Sequence, residues 1–167
     1  MKENFCRLDL TDRELLAHLQ KQGDISNLAL AAQVEVSPAT CLRRVKRLQD
    51  AGLIERTVAL LSPDQLAQHL GHGLTALVEI TLDKQGEEHL TAFESRVSQD
   101  DAVTQCYRVS PGPDFVLVVV APDMPGFLAL SQRLLTQDAN VRNVKTFFSV
   151  KRSKFEPRVP QELVPKS

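Results

Sequence analysis

Several things are missing from this chain of 167 residues, and each absence excludes something. Neither sign of charge dominates. Twenty Lys and Arg stand against 21 Asp and Glu, so bulk basicity cannot be how the chain reaches a polyanion. No apolar run approaches the roughly 18 residues a membrane-spanning helix requires. The first residues, MKENFCRLDLTDRELL, carry charges where a secretory signal needs an apolar stretch, so a cytoplasmic protein is expected. Cys6, Cys41 and Cys106 are odd in number, far apart and form no CxxC pair. A disulfide framework and a cysteine-based zinc site are therefore not expected. There is no GxxxxGK or GxGxxG phosphate loop and no GxSxG elbow, so nothing points to nucleotide or acyl-transfer chemistry. His69 and His72 have ligand spacing, but no further donor nearby completes a metal set.

What is present is uneven. Residues 1–60 hold nine Lys and Arg against eight Asp and Glu, yet Arg43, Arg44, Lys46 and Arg47 fall within five positions. The first half reads as helices. Thr11 and Glu14 have capping-box spacing ahead of Leu15, Leu16 and Leu19, and Gly23 suits a helix end. Ser26 can cap a short second helix with Leu30, Ala31 and Val34 inward. Ser37-Pro38 restarts a third helix that runs to about Ala51, with Gly52 beyond it. A tight connection between the second and third helices is the signature of a helix-turn-helix. The β-prone stretch 53–61 is expected to form a short wing or linking strand.

The second half alternates strand and helix. Leu74 to Leu82 has period two, a helix follows at about 86–98, strands are expected at 102–109 and 115–121, a helix opens at Pro125, and a last strand covers about 142–151. This β-α-β-β-α-β order predicts an α+β chain whose second domain is ferredoxin-like, with helices on one face of an antiparallel sheet. Leu77 and Phe147 fall on the other face, which predicts a dimer. The expected organisation is a helix-turn-helix domain over 1–60, a linker over 61–72, the ferredoxin-like domain over 73–155 and an extended tail over 156–167.

On a helical wheel the third helix divides into two sides. Cys41, Leu42, Val45 and Leu48 are expected inward, and Thr40, Arg43, Arg44 and Arg47 outward. An arginine-lined outward face is what major-groove reading needs, because a guanidinium can bind guanine O6 and N7 or hold a phosphate. Ser37 stands at the helix start, where backbone N–H groups can meet a phosphate. A merely solvated charged face is the competing reading of the same residues.

The stretch SPATCLRRVKRLQDAGLIE, preceded by ISNLALAAQV, closely resembles the helix-turn-helix of the Lrp/AsnC family of transcriptional regulators. CYRV, PDFVLVVVAPDM and VKTFFSVKR resemble that family's amino-acid-sensing domain, in the right order. The resemblance implies a winged helix-turn-helix protein, not an enzyme, that binds double-stranded DNA. It implies dimerisation through the sensing domain, further assembly to tetramers or octamers, and response to a small amino acid, with no other cofactor. It carries DNA contact to Ser37, Thr40, Arg43, Arg44 and Arg47. It carries effector contact to Ser110, Gly112, Asp114, Asp123 and Met124, with Phe147, Phe148 and Ser149 facing the site from a neighbouring subunit. Apolar surroundings would favour leucine or methionine as the effector.

Two departures from the family pattern stand out. Glu35 occupies a turn position where the family usually has glycine, and Pro111 replaces the glycine of the sensing loop, which has moved to Gly112. The loop change leaves open an effector-independent architectural DNA-binding protein, with Asp114 only capping a turn. An enzyme related to the sirohaem decarboxylases, which share the fold, is the third reading. Its histidines and arginines would have to line a cleft in the second domain.

Overall fold

The computed structural model describes residues 7–71 and 73–160, so Cys6, His72 and the last seven residues lie outside it. Of the described residues, 7–60 and 155–160 make one compact unit and 61–154, without His72, the other.

The first unit contains three helices, α1 (Leu10–Lys21), α2 (Asn27–Gln33) and α3 (Pro38–Asp50). Helix α1 is capped two residues before the expected position, Thr11. Asp9 is the N-cap; its Oδ1 accepts from the Asp12 N–H at 2.9 Å, and Asp12 Oδ2 accepts from the Asp9 N–H at 3.2 Å. Two carboxylates three apart thus make the reciprocal cap that Thr11 and Glu14 were expected to make. Gly23 does not terminate α1 in a left-handed conformation. It is needed because a Cβ there would stand 2.8 Å from Thr57 Cγ2. Ser26 caps α2 by accepting from the Ala29 N–H, and Leu30, Ala31 and Val34 are buried.

The turn between α2 and α3 is a Schellman arrangement: the Val36 N–H donates to Ala31 O at 3.0 Å and the Glu35 N–H to Ala32 O at 3.4 Å. That geometry requires a left-handed residue, and Glu35 has φ 54°, the conformation expected at this position. A Cβ there costs on the order of 1 kcal/mol relative to glycine. The same motif ends α3, with Gly52 at φ 71° and the Leu53 N–H bonded to Leu48 O. Asn27 Nδ2 donates to Pro38 O at 2.9 Å and ties the start of α2 to the start of α3. Leu15, Leu30, Ala31, Val34, Cys41 and Leu48 form the core.

The wing strand expected over 53–61 is absent, and the first unit has no strand among its described residues. Residues 55–60 run without a hydrogen-bonded sheet partner, which a strand requires. The tail does not stand apart either. Phe155, Glu156, Pro157 and Arg158 line an open 1070 Å³ groove with Leu16, Leu19, Leu42, Val45 and residues 55–60, and the Val159 N–H donates to Gln20 Oε1 at 2.7 Å.

In the second unit, α4 (Pro63–Leu70) occupies most of the expected linker. Ser62 caps it, Pro63 is in its first turn, and Gly71 ends it at φ 82°. His69 is exposed in its last turn. A four-stranded antiparallel sheet follows, ordered β2-β3-β1-β4: β1 (Leu74–Leu82), β2 (Val103–Arg108), β3 (Phe115–Ala121) and β4 (Val141–Phe148). Helix α5 (Glu87–Val97) joins β1 to β2. Helix α6 (Met124–Ser131), whose end widens into a π-turn over Gln132–Thr136, joins β3 to β4. This is the expected ferredoxin-like α+β arrangement. Alternate residues of β1 (Ala76, Val78, Ile80, Leu82) and β3 (Phe115, Leu117, Val119, Ala121) meet Phe93, Val97, Phe127, Leu130, Leu134 and Leu135 in one core. Strand β4 stops before Val150, which is fully exposed and does not share the face of Val144 and Phe148.

Candidate functional site

The basic helix α3 has three differently occupied sides, not two. Cys41 and Leu48 are buried beneath it. Leu42, expected inward, is 61% exposed at the rim of the groove beside Val45 and Gln49. Arg44 and Arg47, expected outward, turn to α1. Arg44 Nη1 donates to Asp9 Oδ2 at 2.6 Å and to Asp12 Oδ1 at 2.9 Å, and Arg47 Nη2 donates to Asp12 Oδ2 at 2.5 Å. Asp12 has no exposed surface, so its carboxylate holds its place in the fold through these charge-assisted bonds. The correction has a simple cause. The wheel was divided by the apolar residues of α3 alone, and the acidic partners lie more than thirty positions earlier in the chain.

The outward side that remains holds Ala39, Arg43, Lys46 and Asp50, all exposed. At its N-terminal end Ser37 caps the helix: its Oγ accepts from the Thr40 N–H at 3.2 Å and donates to Thr40 Oγ1 at 2.9 Å. Thr40 is half-buried. Pro38 in the first turn lacks an N–H, as that position tolerates.

The Asp12 backbone N–H, and then the Arg44 guanidinium, hold the Asp9 carboxyl below the usual carboxylate range. A depressed carboxyl stabilises the fold above its ordinary pKa, near 3.9, and loses that contribution as pH falls through the folded value. Asp9→Asn keeps a capping oxygen and drops the charge. Its melting temperature is expected to lie below that of the unsubstituted protein at pH 6, and the gap to close as pH falls below the ordinary carboxylate value of about 3.9. The gap is small because Asp9 is half exposed and solvent screens the pair. A gap independent of pH, measured by circular dichroism melts, contradicts this.

The effector residues do not form one cluster within a chain. Leu74 pairs with Ala121 and Ile80 with Phe115, so the two ends of β3 are six residues, roughly 20 Å, apart. Ser110, Gly112 and Asp114 lie at one end. Asp123, Met124, Phe148 and Ser149 lie at the other, where Phe148 packs edge-on against Phe127 at 5.0 Å and the Ser149 N–H donates to Thr75 O. Two carboxylates already have partners. Asp114 Oδ2 accepts from the Leu82 N–H at 2.7 Å and from Gln85 Nε2 at 3.2 Å, and Asp123 Oδ1 caps α6 through the Gly126 N–H at 2.7 Å. That cap starts α6 at Met124, one residue before the expected Pro125. Phe147 points away from this cluster, onto the open face of the sheet.

Three of the four residues in one row of that open face are apolar. Gln105, Val118, Leu77 and Phe147 lie side by side across the four strands, with Tyr107, Val116, Glu79 and Lys145 in the next row. Leu77 and Phe147 are 42% and 44% exposed. The two described cysteines are half-buried or buried, and burial pushes both thiols up, away from the reactive thiolate.

Residues 8–55 match the winged helix-turn-helix DNA-binding family, and residues 75–159 match the Lrp/AsnC ligand binding domain, half of the chain by themselves. The chain belongs to the Lrp/AsnC family. It is 35% identical over 140 residues to the leucine-responsive regulatory protein of Escherichia coli K12, covering 84% of this chain and 83% of that one. It is 36% identical over 141 residues to an uncharacterised HTH-type transcriptional regulator of Haemophilus influenzae, covering 84% and 82%. An AsnC family regulator from Agrobacterium tumefaciens superposes with a TM-score of 0.83 at 29% identity, covering 95% of this chain and all of that one. A transcriptional regulator from Neisseria meningitidis, solved as its L-Met complex, superposes at 0.82 with 28% identity and the same coverage. This Lrp/AsnC protein is a DNA-binding transcriptional regulator with a ligand-binding domain of the family's type, not an enzyme. The sirohaem decarboxylase reading falls with that. Among the described residues no helix is long and apolar enough to cross a membrane.

Sequence reasoning missed Asp12, Asp9, Asn27 and Lys46 as parts of this surface. Lys46 was visible in the basic cluster. Asp9 and Asp12 were visible only as an unexplained pair of acids three apart.

Proposed function

We propose that α3 enters the major groove with Arg43 and Lys46 toward the duplex and Ser37 and Thr40 at its leading end, while Arg44 and Arg47 hold the helix on α1. The observation that carries this reading is the division of α3, in which Arg43 and Lys46 stand exposed while Cys41 and Leu48 pack beneath the helix and Arg44 and Arg47 pair with Asp9 and Asp12. Two copies pair through the open sheet face around Leu77 and Phe147, and pairs of copies associate into tetramers or octamers. Paired helices would then read half-sites about 34–36 Å apart, or multiples of that spacing.

The effector is a small amino acid, with leucine or methionine favoured by the apolar residues at the Met124 and Phe148 end. The relative solved with L-Met supports this choice. Its site would combine Asp123, Met124, Phe148 and Ser149 of one protomer with the Ser110–Asp114 loop of another, since one chain keeps them at opposite ends of β3. A ligand that binds only the folded state raises the melting temperature, by about 2.7 kcal/mol of stability at a hundred times its Kd. L-methionine or L-leucine at millimolar concentration is expected to raise the melting temperature measurably in a thermal-shift screen of the twenty amino acids. No shift from any of them favours the effector-independent architectural reading, which the engaged Asp114 carboxylate and the two prolines of the loop support.

A further inference from the structure

Four cations lie within five residues of α3, yet two of them pair with α1, Arg44 with its side chain 26% exposed and Arg47 with 48%. Asp12 accounts for that. Its carboxylate has no exposed surface and receives Arg44 on one oxygen and Arg47 on the other, while Asp9 takes a second bond from Arg44. Two carboxylates therefore neutralise two guanidiniums on the α1 side of the helix. Arg44 has so committed its position that its Nε is buried without a partner. A hydrophobic contact would fix α3 on α1 equally well, and replacing buried ion pairs by apolar groups is often neutral or stabilising. Helix docking alone therefore does not require two arginines and two acids here.

We propose that Asp12 is a positioning residue, which withholds Arg44 and Arg47 from the phosphates and so keeps the protein's sequence-independent attraction to DNA, and the salt dependence of that attraction, low. The inference rests on the reading of α3 as the groove-entering helix. Its physical basis is that every phosphate neutralised by Lys or Arg tightens binding to any sequence and steepens the fall of log K with log salt by about 0.9. A cation held back from the phosphates therefore adds neither affinity nor salt dependence, whatever the sequence bound.

The test uses the full-length protein and a random-sequence duplex, with affinity measured by fluorescence anisotropy across a salt series. Asp12→Asn keeps the shape of the cap and removes the charge that holds the guanidiniums. It is expected to bind random DNA more tightly at low salt, with a slope steeper by one to two, so that the loss between about 50 and 200 mM salt grows by up to roughly tenfold. A residue that only supports the fold would weaken binding instead. Glu14→Gln, an exposed α1 site with the same charge change, is expected to leave the slope unchanged. Should Asp12→Asn fail to fold, Arg47→Gln decides: with Asp12 and Arg44 still paired it is expected to leave the slope as it was, whereas Arg43→Gln lowers it by about one. A slope unchanged or shallower in Asp12→Asn, or lowered as far by Arg47→Gln as by Arg43→Gln, overturns the inference. An Arg43→Gln slope equal to that of the unsubstituted protein overturns the reading of the outward side, and this inference with it.

Discussion

Replacing Arg43 and Lys46 together by alanine is expected to weaken duplex binding at least roughly 30-fold, because a good base or phosphate contact is worth about 1–3 kcal/mol and two are removed. Both side chains are exposed, so the substitutions leave the core of Leu15, Leu30, Cys41 and Leu48 intact, and the melting temperature should move little. Loss of binding with an unchanged melt separates a contact surface from a packing surface. Arg44→Ala should show the opposite pattern. It unpairs the buried Asp12 carboxylate and the half-exposed Asp9 carboxylate from one guanidinium, so it lowers stability first and changes DNA affinity only through the fold. Equal loss of affinity from Arg44→Ala, at a temperature where that variant is fully folded, contradicts the division of α3 into sides.

Leu77→Arg is expected to dissociate the dimer at micromolar concentration. Leu77 stands in the middle of the apolar row, between Val118 and Phe147, and its neighbours Ala76 and Val78 face the helices. In a two-fold contact one substitution acts twice, so two charges enter a face that previously buried two leucines. Leu77 is 42% exposed in the single chain, so losing its burial in the dimer costs about two-fifths of 1.5–3 kcal/mol on each side and already raises the dissociation constant roughly 10- to 60-fold before the charges are desolvated. Because the site is exposed in the single chain, the variant should remain folded by circular dichroism while sedimenting as a monomer. A dimer of undiminished stability places the contact elsewhere.

Legibility in the sequence followed the range of the interactions. Ser37-Pro38, Ser26 and Gly52 act within one helical turn, and each takes its expected place. The period-two run 74–82 and the apolar run 115–121 became strands because each supplies one half of a shared core. Helix α4 carries the same Ser-Pro start as α3, but at eight residues it presents too few apolar repeats to stand out, and its Ser62-Pro63-Asp64 start reads as an interruption. The pairing of Arg44 with Asp9 and Asp12 spans 35 and 32 positions, so no local periodicity reports it. Asp114 and Asp123 flank the strand expected over 115–121, so their separation at its two ends was legible in the sequence, and only the resemblance grouped them. The wing was read from β-propensity, which reflects how side chains pack on a pleated surface, and residues 55–60 have no neighbouring strand to pack beside.

The central claim is that the side of α3 carrying Ala39, Arg43 and Lys46 lies against base pairs. A photo-crosslinking side chain placed at position 39 or 46 tests it most directly. Irradiation of the complex with a bound duplex should join both positions to DNA within the protected site. Full-affinity binding with no adduct from either position, while a cross-linker on the exposed surface of α5 or α6 does react, would place the DNA elsewhere on the protein.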